Sequence, residues 1–409
     1  MKNEMQKGSG LTTDHTLNVA IIGLEFGAEF IPIYQRHPNA NLYAICQRTR
    51  SKLDEVGDHF GIAVRYDDYE ALLRDPAIDV VHINTPLLHH ADHVVQALEA
   101  GKHVGCTIPM AATVEDCKRI VEAQRETGLV YMMMETVIYG REFLYVKDLY
   151  DQGALGKVQF LRSSHQQDMS GWPSYWEGMP PMHNATHAIS PVLALCRNEA
   201  AYVSCLGSGT VFKRMHSQYG SPMAIESTHI AFKDSDVGAE VTRHLWAVAR
   251  QYRENFDVYG SIRTFEWTQV EGGDHVVHLG ESPERVTIPD YAHLLPEAIQ
   301  SFTTAGVYTE EGDSAHRSFV QGGGHGGSHP HLAHRLLMAV LGEEEAYPNA
   351  VQAANITCAG ILSHESALRG GERMYLPDWT FMPANVPVVV PLNEGREPAW
   401  AGITNSKAP

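Results

Sequence analysis

The chain has 409 residues, 44% hydrophobic and 20% charged, with a net charge of −18; at ~150 residues per domain this predicts two or three domains. No apolar run approaches the ~20 residues that cross a bilayer, and an acidic chain repels phosphate backbones and anionic lipid, so neither a membrane nor nucleic acid is an expected partner. Six scattered cysteines (Cys46, Cys106, Cys117, Cys196, Cys205 and Cys358) with no CxxC pair speak against a disulfide framework or a thiolate zinc site.

Residues 1–16 are polar, without an apolar stretch, and read as a loose tail rather than a signal peptide, which predicts a cytoplasmic protein. From residue 17 short apolar runs (17–22, 41–46, 79–84, 102–106, 130–134) alternate with amphipathic stretches (27–36, 51–60, 68–74, 90–100, 113–127). Continuous apolar runs suit strands of a parallel sheet covered on both faces, so residues 1–137 are expected to be a Rossmann-type α/β domain. Thr113 and Asp116 have capping spacing, and Gly101 and Gly128 stand where helices stop. After residue 138 the texture changes: one helical pattern (142–151), then strand-like runs at 158–165, 201–208, 229–233, 243–252, 256–262 and 263–270. Residues 138–380 are thus expected to form an α+β domain with an open, mostly antiparallel sheet, with helices at 329–342 and 347–368. Residues 381–409, proline-rich, read as a C-terminal arm.

Strand 17–22 runs into GLEFGAE (23–29), a glycine turn that can present backbone N–H groups to a pyrophosphate. Gly23, Glu25, Phe26 and Gly27 are the candidate contacts, with Glu25 where the usual fingerprint has its middle glycine. After the second strand stand Gln47, Arg48 and Arg50 instead of the usual ribose-binding carboxylate. Gln47 could bond a ribose hydroxyl and Arg48 could stack on adenine or meet a 2′-phosphate; NAD is preferred and NADP stays open. Thr85-Pro86, at the carboxyl end of the fourth strand, lie where such sheets bind ligands, with His90 shortly after.

Gly23 in GLEFGA, Thr85-Pro86 with His90, and GKHVGCTIPMAATVEDC (101–117) resemble the Gfo/Idh/MocA oxidoreductases; ETVIYGREF (135–143), THAISPV (186–192), GGHGGSHP (323–330) and YLPDW (375–379) resemble the branch with the NAD-dependent glycosidases of family 109. The resemblance implies NAD as cofactor, a sugar or glycoside as substrate, Thr107, Pro109 and Glu135 on the cofactor side, and a homo-oligomer, dimer or tetramer. It places His187 at the family's catalytic histidine and Tyr139 at the branch's tyrosine, both expected to be catalytic. The family's usual Glu-Lys-Pro is Thr107-Ile108-Pro109 here, and isoleucine transfers no proton. His183, four residues before His187, is expected on the same helical face, and Asn184 stands where the branch has tyrosine. With Trp172, Trp176 and His325 these two make the expected substrate contacts. No metal is expected. The implied activity is glycoside hydrolysis through transient oxidation at C3; a plain sugar or cyclitol dehydrogenase and a non-catalytic sensor are the alternatives.

Overall fold

The computed structural model describes residues 15–270, 272–304 and 324–379. The expected C-terminal arm and nearly all of the expected N-terminal tail lie outside them. The first sheet contains β1 (Leu17–Ile22), β2 (Ala40–Cys46), β3 (Val64–Tyr66), β4 (Val80–Ile83), β5 (His103–Cys106) and β6 (Tyr131–Met133), in the order 3-2-1-4-5-6. Every pairing is parallel. β4 is buried along its whole length, as its unbroken apolar run requires. Around the sheet pack α1 (Ile31–Arg36), α2 (Arg50–His59), α3 (Tyr69–Leu73), α4 (His90–Glu99) and α5 (Val114–Thr127). α5 starts as its sequence predicts, with Thr113 Oγ1 accepting from the Asp116 N–H at 3.0 Å, and it ends on Gly128 at φ +67°.

The first connection differs from expectation. Phe26–Phe30 is a 3₁₀ turn, and the α-helix proper begins only at Ile31. Pro32 lies in the first turn of α1, where a missing N–H and a fixed φ are tolerated.

The second half begins with α6 (Arg141–Asp151), β7 (Val158–Gln166), α7 (Thr186–Leu195), β8 (Ala200–Ser208), β9 (Ile225–Phe232) and β10 (Gly238–His244). It continues with β11 (Arg253–Gly260), β12 (Arg263–Glu266), β13 (His275–Leu279), β14 (Ser282–Val286) and α8 (Glu297–Gln300), then α9 (Gly324–Val340), α10 (Ala350–Leu368) and β15 (Met374–Tyr375). The nine-stranded sheet has the order 14-13-12-11-7-10-9-8-15 and is antiparallel except between β7 and β10. α7 and α10 pack on it, and β10 alternates buried and half-buried residues, the pattern of a sheet with one covered face. The stretch 243–252, read as one strand, is not one: β10 stops at His244. Leu245 and Trp246 then turn into a separate buried cluster with Leu87, Met169 and Met179, Ala247 takes φ +53°, and the chain re-enters the sheet at Arg253. This cluster joins the loop after β4 to the second half of the chain.

Candidate functional site

The turn after β1 is shaped by two glycines. Gly23 has φ +83°, and a Cβ on it would lie 2.4 Å from the Asn84 carbonyl oxygen; a Cβ on Gly27 would lie 2.8 Å from Ile21 Cγ2 and 2.9 Å from Asn84 Nδ2. The backbone therefore passes close to the end of β4 without a side chain, at the switch point between β1 and β4 where open parallel sheets take their ligands. Asn84 Oδ1 and Glu135 Oε2 are buried acceptors with no protein partner. A dinucleotide fits this set: close backbone approach for the pyrophosphate, and free acceptors for its hydroxyl or carboxamide hydrogens. Glu25 is exposed, and its carboxylate adds to burial in raising the Tyr175 phenol across the cleft.

At the end of β2, Gln47 is half-buried and Arg48 exposed. Arg48 lies near His93, which burial and neighbouring charges push down to about 4 and whose Nδ1 meets Thr85 Oγ1 at 3.0 Å. Arg50 is held instead by Asp54 and Asp67. Pro86 precedes the short turn Leu87–His89, and Thr107 donates its N–H to Ile83. His90, expected to contact the cofactor, is buried with Nδ1 at 2.8 Å from the Pro109 carbonyl and Nε2 at 2.7 Å from the Thr85 carbonyl. Each ring nitrogen faces a loop carbonyl, and the neutral ring's single N–H bonds one of the two, so His90 packs between the loops.

A buried charged cluster surrounds His187, in the first turn of α7. Its Nδ1 lies 2.6 Å from Glu135 Oε1 and its Nε2 3.6 Å from Glu254 Oε1. Glu135 is wholly buried, and its Oε1 also accepts the Val137 N–H. Oε1 thereby holds the imidazole in one orientation, and Oε2 has no protein partner. Burial alone lowers the His187 imidazole; Glu135 and then Glu254 outweigh that and raise it to about 9. Glu254 is itself raised, by burial first. Ligating atoms of His165, His187 and Glu254 lie within 4.8 Å of one another; the charge of these carboxylates is met here by the His187 proton.

A raised histidine stabilises the fold in full below the ordinary value of 6.5 and ceases to do so as the pH climbs through about 9. The difference is worth about 3 kcal/mol. Glu135→Gln is therefore expected to lower Tm most at pH 6 and least at pH 9.5, measured by thermal denaturation across that range. Equal losses at both ends would refute the coupling.

Several expected site residues bond groups other than a ligand. Tyr139 donates its hydroxyl to the Tyr347 carbonyl at 2.7 Å, and burial pushes the phenol far up. His183 and His187 do not share a helix: Pro181–Asn184 is a 3₁₀ turn, Ala185 breaks it from α7, and His183 faces His364 at 5.4 Å between rings. Asn184 is buried and gives both its oxygens to Arg243, at 2.7 and 2.8 Å. Trp172 and Trp176 meet edge to face at 6.5 Å; Trp172 is exposed and Trp176 packs on the cluster that holds Leu87. His325 does reach the centre, its ring 5.7 Å from that of His187. It stands at φ +45° and meets His329 Nε2 at 3.2 Å; His329 in turn lies 2.9 Å from Glu29 beside the glycine turn.

Glu254, His165, Tyr252 and Arg243 carry no local signal of a site. Register unites them: Glu254 pairs across strands with His165, and His165 with Arg243, making one polar row over β11, β7 and β10. His165 is buried with neither ring nitrogen bonded, and Tyr252 bonds Glu254 Oε1.

A parallel sheet in the order 3-2-1-4-5-6 with a glycine turn free of side chains after its first strand defines a Rossmann-type dinucleotide-binding fold. Residues 17–135 match the GFO_IDH_MocA family, described as an oxidoreductase family with an NAD-binding Rossmann fold. A "Glycosyl hydrolase family 109 protein" of Shewanella baltica is 26% identical over 253 residues, 56% of this chain and 55% of that protein, so the chain spans about half the length of this curated relative. An "Alpha-N-acetylgalactosaminidase" of Shewanella oneidensis is 22% identical over 406 residues, 89% of this chain and 85% of that one. Among solved structures, a levoglucosan dehydrogenase in complex with NADH and levoglucosan has a TM-score of 0.72 at 20% identity, covering 89% of this chain and 100% of its own. The scyllo-inositol dehydrogenase from Lactobacillus casei has a TM-score of 0.68 at 18% identity, covering 89% and 99%. At these identities the structural likeness is one of fold.

Proposed function

We propose that the protein is an NAD-dependent carbohydrate enzyme that hydrolyses a glycoside by transient oxidation at C3. The observation that carries this reading is the buried imidazole of His187 held between Glu135 and Glu254 beside a dinucleotide crevice. Gly23, Gly27, Asn84 and the free oxygen of Glu135 would hold the nucleotide, and NAD supplies the hydride acceptor for the oxidation and the donor for its reversal. His187 Nε2 and Glu254 Oε1 are 3.6 Å apart, too far for a direct hydrogen bond and suited to a substrate hydroxyl between them. With the imidazole held protonated by its two carboxylates, Glu254 takes the hydroxyl proton and the imidazolium steadies the oxygen's developing charge, while Glu135 keeps the Nδ1 proton in place. A ketone at C3 acidifies the C2 hydrogen; the pair passes the hydroxyl proton to the departing aglycone oxygen and takes the C2 proton as the bond from C1 breaks. Water then adds its oxygen at C1 and leaves a proton on the pair, a proton exchanged with solvent goes to C2, and return of hydride to C3 with the remaining proton to its oxygen restores the alcohol. Two proton-transfer groups side by side also compensate for the isoleucine at 108. The names of the relatives support a glycoside as substrate, and the protein is read as a homo-oligomer in the cytoplasm.

The test is turnover of an aryl glycoside in heavy water. Deuterium at C2 of the released sugar, without net NADH, is the expected result. Steady accumulation of NADH would replace this reading with a plain dehydrogenase.

A further inference from the structure

A cavity of about 380 Å³ opens beside Glu254, Tyr252 and His325. It touches the His187 cluster only through these three residues; His187 is not among its walls. A group lying in it is therefore not the reacting sugar carbon but something joined to it. Its far walls come from the first turn of α6 and from the β11–β14 end of the sheet. Trp267 lines it, with one side of the indole set edge-on to His275 at 5.2 Å and packed on Phe256. Glu142 also lines it, its carboxyl raised to about 7 by burial and 4.0 Å from His275 Nε2, too far to be bonded by it. Arg253 is buried and leaves its Nε without a partner, although its terminal nitrogens reach the Gln269 side chain and the Trp267 carbonyl.

An indole and a largely buried carboxyl with unspent acceptor capacity are a pair that a polyhydroxylated ring satisfies: apolar C–H face on the aromatic, hydroxyls to the acceptor. We infer that this cavity is a second sugar subsite, which holds the ring on the leaving side of a disaccharide-like glycoside. The inference rests on the proposed function and extends it from a sugar to an extended glycoside. Binding energy from that remote ring anchors the reacting one, which is how non-reacting parts of a substrate contribute to catalysis.

The experiment is calorimetric titration of the NADH-loaded full-length protein with matched pairs: methyl glycosides of glucose, galactose and their N-acetyl derivatives, against disaccharides extended at the same anomeric oxygen. For the pair that binds, the disaccharide is expected to bind at least about tenfold more tightly. Trp267→Ala should remove that advantage while the methyl glycoside keeps its affinity. Glu142→Gln should cut it severalfold, and serves where Trp267→Ala fails to fold. Equal affinities within the pair, or variants that weaken both members alike, would overturn the subsite and leave the proposed function standing. Binding of NADH with no binding of any sugar would overturn both.

Discussion

His187→Ala is expected to lower turnover ~10²–10⁴-fold, the span by which a positioned acid or base accelerates proton transfer, while NADH affinity changes little. The imidazole lies against both carboxylates, Glu135 at 2.6 Å and Glu254 at 3.6 Å. Its removal takes away the cation beside the accepting Glu254 and leaves two buried carboxylates facing each other. Part of the stability loss therefore comes from like charges without their cation, and Tm should fall as well. Tyr139→Phe is the matched control. Its hydroxyl serves the Tyr347 carbonyl, so this variant should lose about 1 kcal/mol of stability and keep turnover within a fewfold. Stopped-assay kinetics and fluorescence titration with NADH separate the two effects. Near-parental turnover in His187→Ala, or a collapse in Tyr139→Phe, would return the chemistry to the phenol that the sequence motif suggested.

The second large effect is expected at the glycine turn. Gly23→Ala must place a Cβ 2.4 Å from the Asn84 carbonyl oxygen and 2.7 Å from its carbon, both backbone atoms that no side-chain rotation can move away. The left-handed conformation at φ +83° adds about 1–2 kcal/mol. Since β1 and β4 are neighbours in the sheet, the turn must back out of the crevice where the pyrophosphate would lie. NADH affinity is expected to fall at least about a hundredfold, a loss of ~3 kcal/mol, and Tm by several degrees. Gly61→Ala isolates the conformational part, because Gly61 has φ +67° and nothing within 4 Å of the added Cβ. It should cost about 1 kcal/mol and leave NADH affinity unchanged. Equal NADH affinity in Gly23→Ala and the parent would exclude this turn as the nucleotide site.

The nucleotide half was legible because its signals are local. Unbroken apolar runs, capping residues such as Thr113 and stop residues such as Gly128 each act within one turn of the chain, so the six-stranded sheet and the glycine crevice follow from short stretches of sequence. His187 was legible through its motif. The partners of His187 were not: Glu135 lies 52 residues before it and Glu254 faces it from β11, and only the register of β11, β7 and β10 brings Glu254, His165 and Arg243 into one row.

The same division explains the misplaced residues. Tyr139, His90, Asn184 and His183 have the side chains that a site needs, and the amino-acid sequence alone determined that those groups lie near the carboxyl ends of strands or beside His187. What each one bonds was decided by the tertiary structure, because a buried donor or acceptor takes whichever backbone or side-chain partner packing brings within reach. Packing brought the Tyr347 carbonyl to Tyr139, two loop carbonyls to His90, Arg243 to Asn184 and His364 to His183. It brought Glu135 and Glu254 to His187 instead, and that choice among chemically equivalent candidates is a matter of long-range contact, which no local pattern encodes.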